Sequence, residues 1–203
     1  MSILSKLSFK DQQFKLREVA ILDATTKLLA SKGFDLMTLD DVAEEVGISK
    51  PSLYKHFKSK DELVGAAMIR LVDDALDWLD GVPPGTSPLD TLRDLLTWAL
   101  EIRLKGGLPL MPSTSPQVRD MLTRNLRYVT RVLKLNGKLE KLIKKAREQG
   151  QLRSDLPEQV ILFSYYSRTC DPAVEYLRVY ARMADADIIQ HMLDAFFEGV
   201  RGA

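Results

Sequence analysis

Apolar residues recur at helical spacing along nearly the whole chain, and this restricts the fold more than any other feature. Ile21, Thr25, Leu28 and Leu29 follow i, i+4, i+7, i+8. Leu39, Val42, Ala43 and Val46 follow i, i+3, i+4, i+7. No stretch alternates apolar and polar residues between turn signals, as a half-buried strand would. The expected class is all-α. Thr38 with Asp41, Ser59 with Glu62 and Ser87 with Asp90 read as capping boxes. Pro88 and Pro116 suit first helical positions, where a missing N–H costs nothing. Gly33, Gly47, Gly81, Gly85, Gly106, Gly107 and Gly150 read as stops. The pattern predicts helices over 11–32, 38–46, 49–57, 60–80, 88–105, 116–149, 157–182 and 185–201. Pro172 should break the seventh, because it removes a backbone donor and crowds the preceding turn. Residues 105–115 read as a loop, and the densest punctuation, at 81–88, marks a boundary.

The 203 residues are 45% apolar and 28% charged, which excludes disorder of the whole chain and supplies a core. The single cysteine, Cys170, excludes an internal disulfide and a multi-cysteine metal site, and suits a reducing compartment. The start, MSILSKLSFK, is too polar for a secretory signal. No run reaches the ~18 apolar residues of a membrane span. A cytoplasmic protein without a membrane partner is expected. The net charge of +1 conceals a segregation. Residues 119–153 carry 11 Lys/Arg against 3 Asp/Glu, whereas 61–118 carry 4 against 9. Anions could therefore meet local basic regions.

Residues 38–57, TLDDVAEEVGISKPSLYKHF, read as helix, tight turn, helix. Thr38 caps the first helix, and Asp40 and Asp41 suit the positive end of its dipole. Gly47 stands where the chain must reverse and positive φ is needed. Ser49 can cap the second helix, and Pro51 fits its first turn. Ile48, Leu53 and Phe57 can turn inward, leaving Lys50, Ser52, Tyr54, Lys55 and His56 outside. A short helix with these groups can enter a major groove, with Ser and Lys reaching bases and Tyr, His and Lys donating to phosphates. Lys60 adds a donor at the start of the next helix. Spacing alone is weakly specific, since many glycine-joined helix pairs bind nothing.

The stretch from Arg17 to Met68 resembles the DNA-binding module of tetracycline-repressor (TetR) family transcription regulators. Gly33-Phe34, Thr38, Val42-Ala43, Gly47-Ile48-Ser49, Leu53-Tyr54, His56-Phe57, Lys60 and Leu63 carry the resemblance. It implies a helix-turn-helix domain over 1–60, with 1–10 as a flexible arm, joined by a connecting helix to a helical effector-binding and dimerisation domain over 61–203. It implies a ligand-responsive repressor, not an enzyme, that binds a palindromic operator in double-stranded DNA as a homodimer. Thr38, Ser49, Lys50, Pro51, Ser52, Tyr54, Lys55, His56 and Lys60 would be the DNA-binding residues. Asp40 is acidic near that surface and fits only if it caps its helix instead of meeting a phosphate. Lys6, Lys10 and Lys15 would form a basic arm or a frayed tail.

Other features keep alternatives open. Arg124, Arg127, Arg131, Lys134, Lys138, Lys141 and Lys145 step by 3 and 4 along one helix, beside Leu122, Leu126, Val129 and Leu133. This is a solvated face paired with the acidic 61–118 segment, a port for an anionic ligand, or a second nucleic-acid surface. Ile189, Met192, Leu193, Phe196, Phe197 and Val200 form a wide apolar stripe. With Val160, Ile161, Phe163, Tyr165 and Tyr166 it forms either a core or an intersubunit four-helix bundle over about 157–201. Trp78, Trp98, Ile102, Met111, Met121, Leu122 and Tyr128 could line a pocket for a small effector, anionic ones among the candidates, or fill a core. Cys170 has no nearby histidine and reads as structural. No cofactor or metal is called for. The competing functions are a helical ligand-binding protein or enzyme whose helix-turn-helix no longer binds DNA, and a DNA-coating protein using the basic stripe.

Overall fold

The computed structural model describes residues 8–110 and 115–202. Among the described residues every regular element is a helix: α1 (Phe9–Leu36), α2 (Leu39–Val46), α3 (Lys50–Tyr54), α4 (Lys60–Asp80), α5 (Pro88–Leu104), α6 (Pro116–Thr123), α7 (Leu126–Glu148), α8 (Glu158–Thr169), α9 (Ala173–Val179) and α10 (Asp185–Val200). The chain is all-α, as its periodicity requires. It divides into two compact units, the first ending at Met68 and the second starting at Ile69. The division falls inside α4, after residue 60 and before the punctuation at 81–88. Leu63, Val64 and Ala67 in the first turns of α4 are buried.

In the first unit α2 packs on α1 and α3 on α2. Ile21, Met37, Val42 and Leu53 are fully enclosed. Thr25, also enclosed, donates its hydroxyl to the Ile21 carbonyl at 2.7 Å, so its burial leaves no orphan group. The helical path of α1 is interrupted at Gly33, with φ 75° and ψ 172°, at the stop that the glycine predicts. Ser8 caps α1 by accepting the Asp11 N–H at 3.2 Å. Lys10 and Lys15 therefore sit on the helix and not in a flexible arm, while Lys6 lies outside the described residues. Two of the predicted caps differ in detail. The Ser59 Oγ accepts the Glu62 N–H at 3.1 Å, but the Glu62 carboxylate reaches back to the Lys58 N–H at 2.8 Å. The Ser87 Oγ lies 3.5 Å from the Asp90 nitrogen, a weak cap.

The second unit is built around α5, which packs against α7, α8 and α10. Leu92, Leu95, Leu96 and Leu100 of α5 are almost wholly enclosed. Each such side chain stabilises the unit by about 1.5–3 kcal/mol. The buried Tyr165 hydroxyl donates to the Leu92 carbonyl at 3.0 Å.

The second unit departs from the sequence expectations in its α6–α7 region. The helix expected over 116–149 is two helices. The first ends at Thr123 with Arg124 as its C-cap, and Asn125 caps α7, its Oδ1 accepting the N–H groups of Arg127 and Tyr128 at 3.1 and 3.2 Å. Arg124 is thus off the basic stripe. The inward face of α7 is Tyr128, Leu135, Leu139, Ile143 and Ala146, whereas Leu126 and Leu133 are exposed. Within the stripe, Arg131 pairs with Asp73 at 2.7 Å and Lys138 with Asp80, which lowers the Asp80 pKa. Pairing with the acidic α4 accounts for that part of the stripe, and Lys134, Lys141 and Lys145 remain exposed. Finally, Met192, Leu193, Phe196, Phe197 and Val200 are buried within their own chain, as are Ile161, Tyr165 and Tyr166, whereas Ile189 of the same stripe is only half-buried and Ile188 is enclosed in its place. Most of the α10 stripe is therefore packed inside its own chain. The apolar residues left outside on α8 are Val160 and Phe163, about half exposed, beside a shallow depression of about 430 Å³ that also includes Gln159, Ser164 and Ser167.

The seventh predicted helix breaks at Pro172, which stands as the N-cap of α9. Arg103 of α5 bridges the break. Its guanidinium donates to both Glu175 oxygens, the shortest contact being 2.7 Å, and to the Thr169 carbonyl at 2.8 Å. Arg178 answers from α9 by donating to the Leu104 carbonyl at 2.9 Å. Cys170 ends α8 and is half-buried, its thiol directed at the Tyr166 and Ser167 carbonyls.

Candidate nucleic-acid interface

The turn between α2 and α3 is fixed from both sides by backbone chemistry. At the start of α2 the Thr38 Oγ1 accepts the Asp41 N–H at 3.1 Å, and the Asp41 carboxylate accepts the Thr38 N–H at 2.8 Å. The Lys32 ammonium meets the same carboxylate at 2.9 Å. Lys32 first, then the Thr38 donors, pull the Asp41 pKa down to about 2. At the end of α2 the Gly47 N–H donates to the Glu44 carbonyl at 3.0 Å and the Ile48 N–H to the Ala43 carbonyl at 2.9 Å. This is a Schellman closure, and it requires the left-handed Gly47, with φ 72° and ψ 35°.

The next residues start α3. The Ser49 carbonyl accepts the N–H groups of Ser52 and Leu53 at 2.8 and 3.1 Å. Ser49 stands at the N-cap but its side chain makes no capping bond, contrary to the sequence reading. Leu53 is completely enclosed and Phe57 nearly so, which pins the helix down by one face. Ser49, Lys50, Pro51, Tyr54 and Lys55 are then exposed, with Ser52 and His56 half-buried at the margin. α3 ends at Tyr54, so Lys55 and His56 belong to the following turn and not to the helix expected over 49–57. Thr38 is exposed at the start of α2, and Lys60 is half-buried at the start of α4.

The structure adds three partners that helical spacing does not reveal. The Lys50 ammonium pairs with the Asp40 carboxylate, at 2.8 and 2.9 Å to its two oxygens, and this raises the Lys50 pKa. Asp40 thus meets a cation of α3 and does not cap its own helix, as the sequence reading required, because Thr38 and Asp41 fill that role. His56 stacks on Phe14 of α1 with centroids 3.9 Å apart and planes 22° apart. Its Nδ1 is buried without a hydrogen-bond partner, and burial lowers its pKa. The Lys60 ammonium lies 4.3 Å from the Phe34 ring centroid, a cation–π contact. A pattern of 3 and 4 finds neighbours on one helix, whereas all three contacts join different elements.

The sequence profile of the bacterial regulatory proteins of the tetR family matches residues 21–67, the segment that contains this turn. The transcriptional regulator YdeS of Bacillus subtilis (strain 168), itself uncharacterised, is 30% identical over 151 residues, covering 72% of this chain and 73% of YdeS. The chain belongs to the tetR family. This tetR-family protein carries, at residues 21–67, the segment shared by that family of bacterial regulatory proteins. It is 34% identical over 90 residues to the transcriptional repressor KstR2 of Mycolicibacterium smegmatis (strain ATCC 700084 / mc(2)155). That match spans 42% of either protein, less than half the length of KstR2. The fold also matches the crystal structure of AibR in complex with isovaleryl coenzyme A and operator DNA. The TM-score is 0.63 at 20% identity, over 89% of this chain and 98% of AibR.

The effector candidates are spread through the second unit. Trp78 on α4, Trp98 and Ile102 on α5, and Met121 on α6 are half-buried, while Leu122 and Tyr128 are buried. Met111 lies outside the described residues. Burial pushes the Tyr128 phenol up to about 12. Ile102 packs tightly on Gly107, where an added Cβ would lie 2.4 Å from the Ile102 side chain. The depression on α8 contains none of these residues, and neither does a second one lined by Arg147, Arg153, Asp155, Glu198 and Arg201. No helix of the described residues is long and apolar enough to cross a membrane.

Proposed function

We propose that this regulator is a ligand-responsive repressor that binds a palindromic operator as a homodimer. The observation that carries the proposal is the face of α3. The enclosed Leu53 turns Ser49, Lys50, Pro51, Tyr54 and Lys55 outward from a helix of groove-fitting width. Lys50, Ser52 and Pro51 would meet base edges. Thr38, Ser49, Tyr54, Lys55 and Lys60 would meet phosphates. The stacked His56 contributes through a neutral ring at the margin, because burial opposes its charge.

The first unit is the DNA-binding domain in this reading, and the second binds the effector and the other protomer. The exposed Val160 and Phe163 on α8 are the contacts we assign to the dimer. Trp98, Ile102, Met121, Leu122 and Tyr128 are our candidates for the effector site, with Trp78 nearest the end of α4. An acyl thioester of coenzyme A, as held by AibR, is one effector of the anionic class. An effector that moves the operator-competent state from 99:1 to 1:99 must prefer the other state by about 5.5 kcal/mol. α4 spans residues of both units and is the element through which such a preference would act.

The test is an anisotropy titration of a labelled duplex from upstream of the protein's own gene, with a scrambled duplex beside it at two salt concentrations. The proposal expects binding of the native duplex that weakens steeply with salt and is lost in Tyr54→Phe/Lys60→Ala. Equal binding of both duplexes would favour a sequence-blind, DNA-coating role for the basic face of α7.

A further inference from the structure

Asp40 is an acidic residue placed where a DNA-binding surface should least want one. It carries no capping bond, since Thr38 and Asp41 cap α2 between them. It sits in the first turn of α2 and reaches across to Lys50, the first residue of α3. Both oxygens meet the ammonium, at 2.8 and 2.9 Å. Both side chains are more than half exposed, so the pair is open to solvent and to any polyanion that approaches.

An ammonium has three N–H donors. Two directions are taken by one carboxylate, which confines the head of an otherwise flexible side chain and leaves at least one donor pointing outward. The pair is close to neutral as a unit. A phosphate therefore gains little from Lys50 while Asp40 holds it. A guanine edge, which offers the neutral acceptors O6 and N7, gains a positioned donor and pays no charge repulsion of phosphate size.

We propose that Asp40 is a positioning residue that confines Lys50 to reading a base edge and withholds its charge from phosphates, so that it sets the ratio of specific to non-specific DNA binding. The inference rests on the DNA-binding reading of α3 and deepens it. Asp40 lowers affinity for arbitrary DNA and costs little at the operator. Exposed pairs of this kind change an equilibrium by about twofold to fivefold, so the effect is a tuning of selectivity and not an on–off switch.

The experiment uses the full chain and two duplexes of equal length. One is enriched from a random-sequence pool by the wild-type protein, and the other has the same composition in shuffled order. Wild type, Asp40→Asn, Lys50→Gln and the double variant are titrated with each across a range of salt. The expected result is that Asp40→Asn binds the shuffled duplex about twofold to fivefold more tightly with the selected duplex less affected, and that its salt slope on the shuffled duplex steepens by up to about one. In the Lys50→Gln background the same substitution should lose this effect. That coupling separates positioning of Lys50 from plain repulsion between Asp40 and phosphates, and a fold defect would not produce tighter binding. An equal gain in both backgrounds, or an equal gain on both duplexes, would overturn the proposal. If the wild type enriches no sequence and binds neither duplex, the DNA-binding reading itself fails and takes the proposal with it. Binding by the wild type with an unchanged selectivity ratio in Asp40→Asn would sink the proposal alone.

Discussion

Replacing Gly47 by alanine isolates the backbone cost of the helix-turn-helix. Gly47 has φ 72° and ψ 35°. A Cβ placed there meets no atom within 4 Å, so no clash contributes. What remains is the left-handed conformation, about 1–2 kcal/mol for an L side chain. About 0.4–1 kcal/mol returns through the lower entropy of the unfolded chain. The midpoint of these ranges is a net loss of about 0.8 kcal/mol, or a melting point lowered by roughly 3–6 °C for a unit of this size. Gly137→Ala is the control. It too has nothing within 4 Å of an added Cβ, but it lies inside α7 with ordinary helical backbone. There alanine should stabilise by about 0.5–1 kcal/mol. The assay is thermal unfolding followed by circular dichroism and by tryptophan fluorescence. Trp78 and Trp98 both lie in the second unit, so fluorescence follows that unit while dichroism follows all helices. Opposite signs are expected for the two substitutions. An unchanged Gly47→Ala, or a comparable loss in Gly137→Ala, would refute the reasoning.

Further outcomes follow from the same geometry. His56 should titrate below 6.5 by NMR, because burial opposes its charged form, and Phe14→Ala should move it back toward 6.5. The folded ring stays neutral where the unfolded chain takes up a proton, so the stability that His56 supports is complete above pH 6.5 and declines as the pH falls below it. Asp41 has the acid counterpart: its contribution is full above its unfolded pKa of 3.8 and is lost as the pH falls through about 2, and Asp41→Asn should remove that limb from an acid-unfolding curve. Leu139→Ala should cost about 2–5 kcal/mol in urea unfolding, whereas Leu133→Ala should stay within about 0.5 kcal/mol, since only Leu139 is enclosed. Arg103→Met should cost about 1–3 kcal/mol by the same assay, because it strips the Thr169 carbonyl and Glu175 of their shared donor.

The legible part of this molecule is local. Thr38, Asp41, Gly47 and Pro172 act through their own backbones and nearest turns, so their residue types announce α2, its closure and the α8–α9 break. Leu53 with its exposed neighbours likewise follows from helical spacing. The illegible part depends on which element lies opposite. Leu126 and Leu133 look like core by composition, yet they are outside because Asn125 restarts the helix and turns Tyr128, Leu135 and Leu139 inward. The α10 stripe has the breadth of a subunit interface, and its own chain covers all of it but Ile189. Phe14, Asp40 and Phe34 were invisible as partners of His56, Lys50 and Lys60, because each pair joins separate elements.

The central claim is that the face of α3 reads DNA from two symmetry-related protomers. It is tested most directly by selecting duplexes from a random-sequence pool with the full chain and sequencing those retained. The account predicts an inverted repeat with half-sites about one or more helical turns, roughly 10 base pairs each, apart. It also predicts that Lys50→Gln relaxes the preference at one position in each half-site. Retained sequences without a repeat, or a repeat whose preferences survive every substitution on α3, would contradict it.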